Sequence, residues 1–266
     1  MIALFGIPLL FLSEYLVYPM VIAILCLVSM YEVSALTGFR AKPFVWVPTY
    51  IVALAMPIGA FFFDANKLDY LLICAGVLFV YMLYLFAFAV ISAGKVKFSS
   101  VAIHFTLLAY ISVSFTSMVL TRYITNGAYM FALVFAACWV CDTCAYFVGR
   151  AIGKHKLIEA ISPKKTIEGS IGGIVFATLA FLLYGLIVSL IGGPSPNYIV
   201  LAILGFSLSI VSQFGDLIFS LVKREHGVKD FGMIFPGHGG VLDRFDSILA
   251  VAPVLYFVCL FFPPFA

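Results

Sequence analysis

Charge is what this sequence has least of. Asp, Glu, Lys and Arg together make up 10% of its 266 residues, where a soluble chain carries about 25%. Hydrophobic residues make up 64%, and the mean hydropathy is +1.18. So few ionisable groups do not cover a water-facing surface, and most of the exterior must meet lipid. A soluble globular enzyme is thereby excluded. The net charge of +3 is too small for a nucleic-acid partner. The opening stretch Met1 to Leu12 lacks a basic n-region and a small-residue cleavage site, so it reads poorly as a cleaved signal peptide. A disulfide framework is absent too, because all six cysteines lie inside apolar runs. Cys138-x-x-Cys141-x-x-Cys144 has a tempting cluster spacing, but the preferred reading is small apolar side chains of a membrane helix. There is no low-complexity tract, no soluble domain and no clear internal repeat.

What the sequence does have is a series of apolar runs of spanning length, separated by short polar breaks. They predict helices over 15–37, 43–63, 69–91, 99–121, 128–148, 169–191, 198–222 and 247–262. A shorter run, 2–12, contains Pro8 and would reach only about 17 Å at about 1.5 Å per residue. The expected fold is an all-α polytopic integral membrane protein with about nine transmembrane helices, eight if the first run does not cross. It should carry a cytoplasm-facing polar cavity. Within one integral unit, residues 1–141 supply the N-terminal helices and 142–266 the catalytic region with its loops.

The basic residues orient the chain. The breaks at 38–42, 92–98, 149–168 and 223–246 hold thirteen of the 15 Lys and Arg residues, and the opposite breaks hold only Lys67 and Arg122. By the positive-inside rule the basic breaks face the cytoplasm, across a cell inner membrane. Segments 149–168 and 223–246 are longer than a turn requires, which marks them as functional. The cluster Gly169-Ser170-x-Gly172-Gly173 fits close helix packing, which small residues permit.

Carboxylates at membrane depth are costly and usually functional. Glu32 lies eight residues before Arg40, Asp142 eight before Arg150, and Asp216 seven before Lys223. Each therefore sits about 10–12 Å inside the basic end of its helix. Asp243 and Asp246 close the last basic loop where the final helix begins. Five carboxylates thus converge on one cytoplasm-facing cavity; separate pairing of each with a nearby base is the blander alternative. Crowded acids in a low dielectric repel one another unless a cation offsets them. Hard oxygen ligands suit Mg²⁺ rather than zinc, which wants Cys or His.

A basic, glycine-rich shell surrounds these acids. Ser220-x-x-Lys223-Arg224 is followed by Lys229-Asp230, Pro236-Gly237-His238-Gly239-Gly240 and Asp243-Arg244-x-Asp246. Glycines let the backbone approach a polyphosphate, and the bases neutralise it. Asp243 and Asp246 share a face of a first helical turn, where the helix N-terminus adds positive partial charge. Ser162-Pro163-Lys164-Lys165-Thr166 is a second phosphate-friendly cluster. Metal-binding acids beside phosphate-binding bases imply phosphoryl or nucleotidyl transfer. Gly149-x-x-x-Gly153-Lys154-His155 is one residue short of a P-loop, lacks the Ser or Thr and follows a membrane helix, so it is rejected as one. His238 reads as a hydrogen-bond donor in preference to a general base, and His155 as a phosphate contact. His104 and His226 read as bystanders, while Tyr146 either orients substrate or packs.

The stretch from Ser220 to Asp246 resembles the signature of the CDP-diacylglycerol synthase (phosphatidate cytidylyltransferase) family. Ser212-Gln213-x-Gly215-Asp216-Leu217, Asp142-Thr143-x-Ala145-Tyr146-Phe147-x-Gly149-Arg150 and Ser162-Pro163-Lys164-Lys165-Thr166-x-Glu168-Gly169 are similar to the same family. Ile167 departs from it, standing where many members carry Trp. The resemblance implies that CTP and phosphatidic acid give CDP-diacylglycerol and pyrophosphate. For this reaction the physical reading adds Mg²⁺, alone or with a second cation, on Asp216 and Asp243, with Asp246 supporting the metal or Arg244. Lys223, Arg224, Lys229 and Arg244 would steady the phosphates. Asp142, Tyr146, Lys164 and Lys165 would line the substrate side, with Asp230, His238, Gly239 and Gly240 also binding substrate. A homodimer is compatible with such a chain. Rival readings are another CTP-dependent lipid enzyme, such as a CDP-archaeol synthase or a polyprenol or phytol kinase, and a cation-coupled transporter.

Overall fold

A computed structural model describes residues 16–63, 67–233 and 239–266. Among them are eight helices long and apolar enough to cross a membrane, and the chain is an all-α integral membrane protein. In chain order these are α1 (Val17–Leu36), α2 (Pro43–Phe62), α3 (Lys67–Ile91), α4 (Phe98–Arg122) and α5 (Gly127–Ile152), then α6 (Ile167–Leu190), α7 (Tyr198–Glu225) and α8 (Leu242–Phe261). The run 2–12 lies outside the described residues. Three helices outrun their apolar stretches at one end by three residues or more. α5 continues four residues past Val148, α7 runs on through Lys223 to Glu225, and α8 starts at Leu242 rather than 247. Basic side chains at a helix end reach toward the interface, so their charge does not stop the helix. The segment between α5 and α6 holds a short antiparallel pair, β1 (Lys156–Ile158) and β2 (Ser162–Thr166), in register Lys156 with Thr166 and Ile158 with Ser162.

The described residues form two compact units: 16–120 with 230–244, and 121–229 with 245–266.

In the first unit, α1 packs on α2 and α2 on α3. Pro43 opens α2, where a missing N–H costs nothing. α4 is richly polar, yet Ser112, Ser114, Thr116 and Ser117 are all buried. Polar side chains at depth must find partners inside the protein. Tyr18 of α1 donates to the Met118 carbonyl at 3.0 Å. The buried His104 ring meets the hydroxyls of Thr37 (3.1 Å) and Thr49 (3.0 Å), and Thr49 also meets Tyr81. This chain of hydrogen bonds ties α4 to α1, α2 and α3, so His104 is a structural tie rather than a bystander. α3 instead offers lipid an open face that includes Leu72, Val80, Val90 and Ile91.

In the second unit, α6 packs between α5 and α7. Small residues set the spacing. A Cβ on Gly173 would meet the Cys141 carbonyl at 2.8 Å, and one on Gly205 would meet the Thr178 Cα at 2.8 Å. Helix axes therefore approach to backbone contact, the form of packing that works in lipid without a hydrophobic drive. α6 is capped by Thr166, whose Oγ1 accepts from Gly169 N, and α7 by Asn197, whose Oδ1 accepts from Val200 N. The last residues of the chain pair with the segment before α7: Asn197 N donates to the Pro264 carbonyl and Ala266 N to that of Ser195.

Gly205→Val is expected to force α6 and α7 apart and cost about 1–3 kcal/mol, seen as a lower unfolding temperature in detergent. Gly76→Ala on α3, where an added Cβ meets nothing within 4 Å, is expected to leave that temperature unchanged or raise it.

Candidate active site

The second unit holds a cavity of about 400 Å³ whose walls come from four elements. α5 contributes Asp142, Ala145, Tyr146, Gly149 and Arg150, residues spaced three and four apart on one helical face. The strand segment contributes Leu157, Ser162, Lys164, Lys165 and Thr166; α6 contributes Gly169 and Ser170; α7 contributes Gln213 and Asp216. The β-hairpin explains how a loop reaches this place. Pairing of β1 with β2 turns the chain back so that Thr166 begins α6, and an added Cβ at Gly169 would meet the Ala145 carbonyl at 2.6 Å. Cavity wall and helix contact are thus one structure.

The electrostatics of this cavity centre on Asp216. Its Oδ2 lies 2.5 Å from Lys165 Nζ, and its Oδ1 accepts from Ser220 Oγ at 3.4 Å. Asp142 is repelled by Asp216 and attracted by Lys165. Asp246, whose Oδ1 accepts from Ser247 N at 2.8 Å, is repelled by both Asp216 and Asp142 and attracted by the buried Lys223. Three carboxylates therefore act on one another, with Lys165 and Lys223 set against them. Among the described residues no three Asp, Glu, His or Cys side chains close into a ready metal cage. Mg²⁺ needs no such cage, since it uses one or two carboxylates and takes water and phosphate for the rest. The residues fit such an ion.

Of the residues singled out from the sequence, Asp142, Tyr146, Lys164, Lys165 and Asp216 share this cavity. Tyr146 is 60% exposed, and its hydroxyl accepts from Arg150 Nη1 at 3.4 Å, so it lines the cavity rather than packing. His155 pairs with Glu168, its Nδ1 lying 2.7 Å from Oε1. Lys156 Nζ donates to the Pro163 carbonyl at 2.6 Å. Arg224 and Lys229 are exposed.

Nine of the lining residues were not picked out as site residues, among them Arg150, Ser170 and Gln213. Gln213 is almost fully buried. Its Oε1 accepts from Ser170 Oγ at 2.5 Å, and its Nε2 donates to the Ser170 carbonyl (3.3 Å) and to Cys141 Sγ (3.4 Å). The glycine cluster at the start of α6 is thus helix packing, as expected, and also cavity wall. Gln213 stands three residues before Asp216, on the same face of α7; that spacing was the available signal.

The remaining candidates belong to the first unit. Asp243 Oδ2 accepts from the backbone N–H groups of Phe231 and Gly240, both at 2.9 Å. Glu32 is 2% exposed; its Oε1 accepts from Val241 N (2.9 Å) and its Oε2 from Leu242 N (3.0 Å). Glu32 thus gives both oxygens, and Asp243 its Oδ2, to main-chain donors. Gly239 has a φ of +84°, a left-handed conformation that glycine adopts without strain. Arg244 is half-buried. Asp230 is exposed and lines a second cavity of about 470 Å³ with Tyr31, Glu32 and Arg40, the Arg40 guanidinium lying 4.2 Å above the Tyr31 ring. His238 lies outside the described residues.

Residues 1–262 match the model of a family described as the cytidylyltransferase family. The chain is 39% identical over 210 residues to a phosphatidate cytidylyltransferase of Bacillus subtilis, covering 78% of this chain and 74% of the relative. A Staphylococcus epidermidis protein of the same name is 36% identical over 229 residues, 86% of this chain and 85% of the relative. One from Staphylococcus haemolyticus is 40% identical over 171 residues, 64% of each.

Lys165→Met leaves Asp216 facing Asp142 and Asp246 without its cation, and is expected to cost about 1–2 kcal/mol, read as a lower unfolding temperature in detergent. Adding Asp216→Asn to that variant should recover most of the loss. Simple additivity of the two effects would contradict the ion pair.

Proposed function

Because the chain belongs to the cytidylyltransferase family, we propose that it transfers the cytidylyl group of CTP to the phosphate of phosphatidic acid, releasing CDP-diacylglycerol and pyrophosphate. It is a nucleotidyltransferase of phospholipid biosynthesis, set in the membrane that holds its lipid substrate. The observation that carries this reading is the cavity in which Arg150, Lys164 and Lys165 stand beside Asp142 and Asp216. Anion-binding and cation-binding groups in one chamber suit a reaction among phosphates.

An oxygen of the lipid phosphate attacks the α-phosphorus of CTP; a new P–O bond forms as the bond to the β-phosphate bridging oxygen breaks, and pyrophosphate leaves with that electron pair. The attacking oxygen is already ionised, so no general base is required. Lys164, Lys165 and Arg150 bind phosphate oxygens and lower the repulsion between two anionic substrates. Tyr146 bounds the chamber through its contact with Arg150, and Gln213 with Ser170 holds α6 and α7 at the spacing the chamber needs. Mg²⁺, held by Asp216 with Asp246 or Asp142, would neutralise charge on the α-phosphate and the departing pyrophosphate. Asp243 stays an essential carboxylate through the backbone donors it gathers. Lys223, Arg224, Lys229 and Arg244 are kept as phosphate-steadying groups. The bacterial relatives and the thirteen bases of the basic loops support a cell inner membrane with the chamber opening to the cytoplasm.

CTP labelled at the α-phosphate is expected to mark a lipid product when phosphatidic acid is supplied, and CTP labelled at the γ-phosphate is expected to mark none. Labelling from the γ-position with an isoprenoid alcohol would favour a lipid kinase instead. In the same assay Asp216→Asn and Asp243→Asn should each lower turnover by about 10²–10³. Near-normal turnover in both would overturn the assignment.

A further inference from the structure

We propose that Glu32 is a positioning residue, whose carboxylate clamps the two segments at Gly232 and Gly240 to the first turn of α8. The proposal rests on the cytidylyl-transfer reading for its kinetic consequence but not for its geometry.

The first N–H groups of a helix have no partner within it. At α8 those of Val241 and Leu242 are met by the two oxygens of Glu32, at 2.9 and 3.0 Å. The acceptor lies 209 residues away in sequence, so this is no local cap. A carboxylate buried to 2% exposure is tolerated only when hydrogen-bonded, and the positive end of a helix favours its charge.

Both arms of the loop also close on this one group. A Cβ on Gly232 would meet Glu32 Oε1 at 2.6 Å, and one on Gly240 would collide with the same carboxylate. Gly232 lies on the arm after α7 and Gly240 on the arm before α8. Asp243 ties the same two arms again, through Phe231 N and Gly240 N. The orientation of Asp243 therefore depends on an arm spacing that Glu32 sets. Each Glu32 oxygen is engaged by a main-chain donor, so Glu32 acts through the segments it ties together.

The test compares wild type, Glu32→Gln, Glu32→Ala and Gly240→Ala as purified full-length protein, each first shown to be monodisperse with a cooperative melt. Hydrogen exchange at Val241 and Leu242, without substrates, should quicken by roughly tenfold in Glu32→Ala, as expected for losing a hydrogen bond to a charged acceptor. Glu32→Gln keeps one acceptor and should fall between. Gly240→Ala disturbs the clamp from its other side and should reproduce the Glu32→Ala pattern. In turnover, kcat/KM for CTP should drop by roughly 10², the scale of a misplaced reacting group, while KM for phosphatidic acid stays within threefold. Unchanged exchange at Val241 and Leu242 in Glu32→Ala would overturn the clamp. So would lost activity with unchanged exchange and a raised Mg²⁺ requirement, which would mark Glu32 as a cation ligand. If wild type itself made no CDP-diacylglycerol, the functional reading would fail while the exchange result still decided the clamp.

Discussion

Three carboxylates repelling one another inside a bundle of membrane helices is the constraint on which the second unit depends. Asp142, Asp216 and Asp246 act on one another electrostatically, with Lys165 and Lys223 as the lysines set against them. In a low dielectric such crowding of like charge is costly. The helices pay it because α5, α6 and α7 are locked at backbone contact by glycine, and because Lys165 is delivered from a hairpin outside the helical bundle. Acids and bases held this close in one chamber would receive a divalent cation and a polyphosphate together.

The hairpin shows how local order builds such a site in a protein with few polar residues to spare. Thr166 ends β2 and caps α6; the next turn brings Gly169 onto α5 and Ser170 onto Gln213. One stretch of chain thus supplies the site's lysines, the start of a helix and a wall of the chamber. The first unit follows a parallel logic with different parts. There Glu32 gives both oxygens, and Asp243 its Oδ2, to backbone N–H groups at Phe231 and at 240–242.

Much of this was legible in the sequence, for reasons that differ by residue. Spans were legible because lipid demands long apolar runs, and Asp142, Lys165 and Asp216 because charge at or near membrane depth is rarely idle. Helix ends were less so. α8 begins at Leu242 although Asp243, Arg244 and Asp246 break its apolar pattern, since acids are favoured in a first turn. The hairpin escaped notice because Pro163 and paired lysines hide any alternation. The role of Glu32 was hidden most deeply: its acidity and depth stood out, but its partners are main-chain groups two hundred residues on, which no side-chain pattern announces.

The most direct test of the central claim is CTP binding to the purified protein, titrated calorimetrically with Mg²⁺ present and again in EDTA. The account predicts tight binding with Mg²⁺ in wild type, marked weakening in EDTA, and loss of the Mg²⁺ effect in Asp216→Asn. Equal CTP affinity with and without the cation would contradict it.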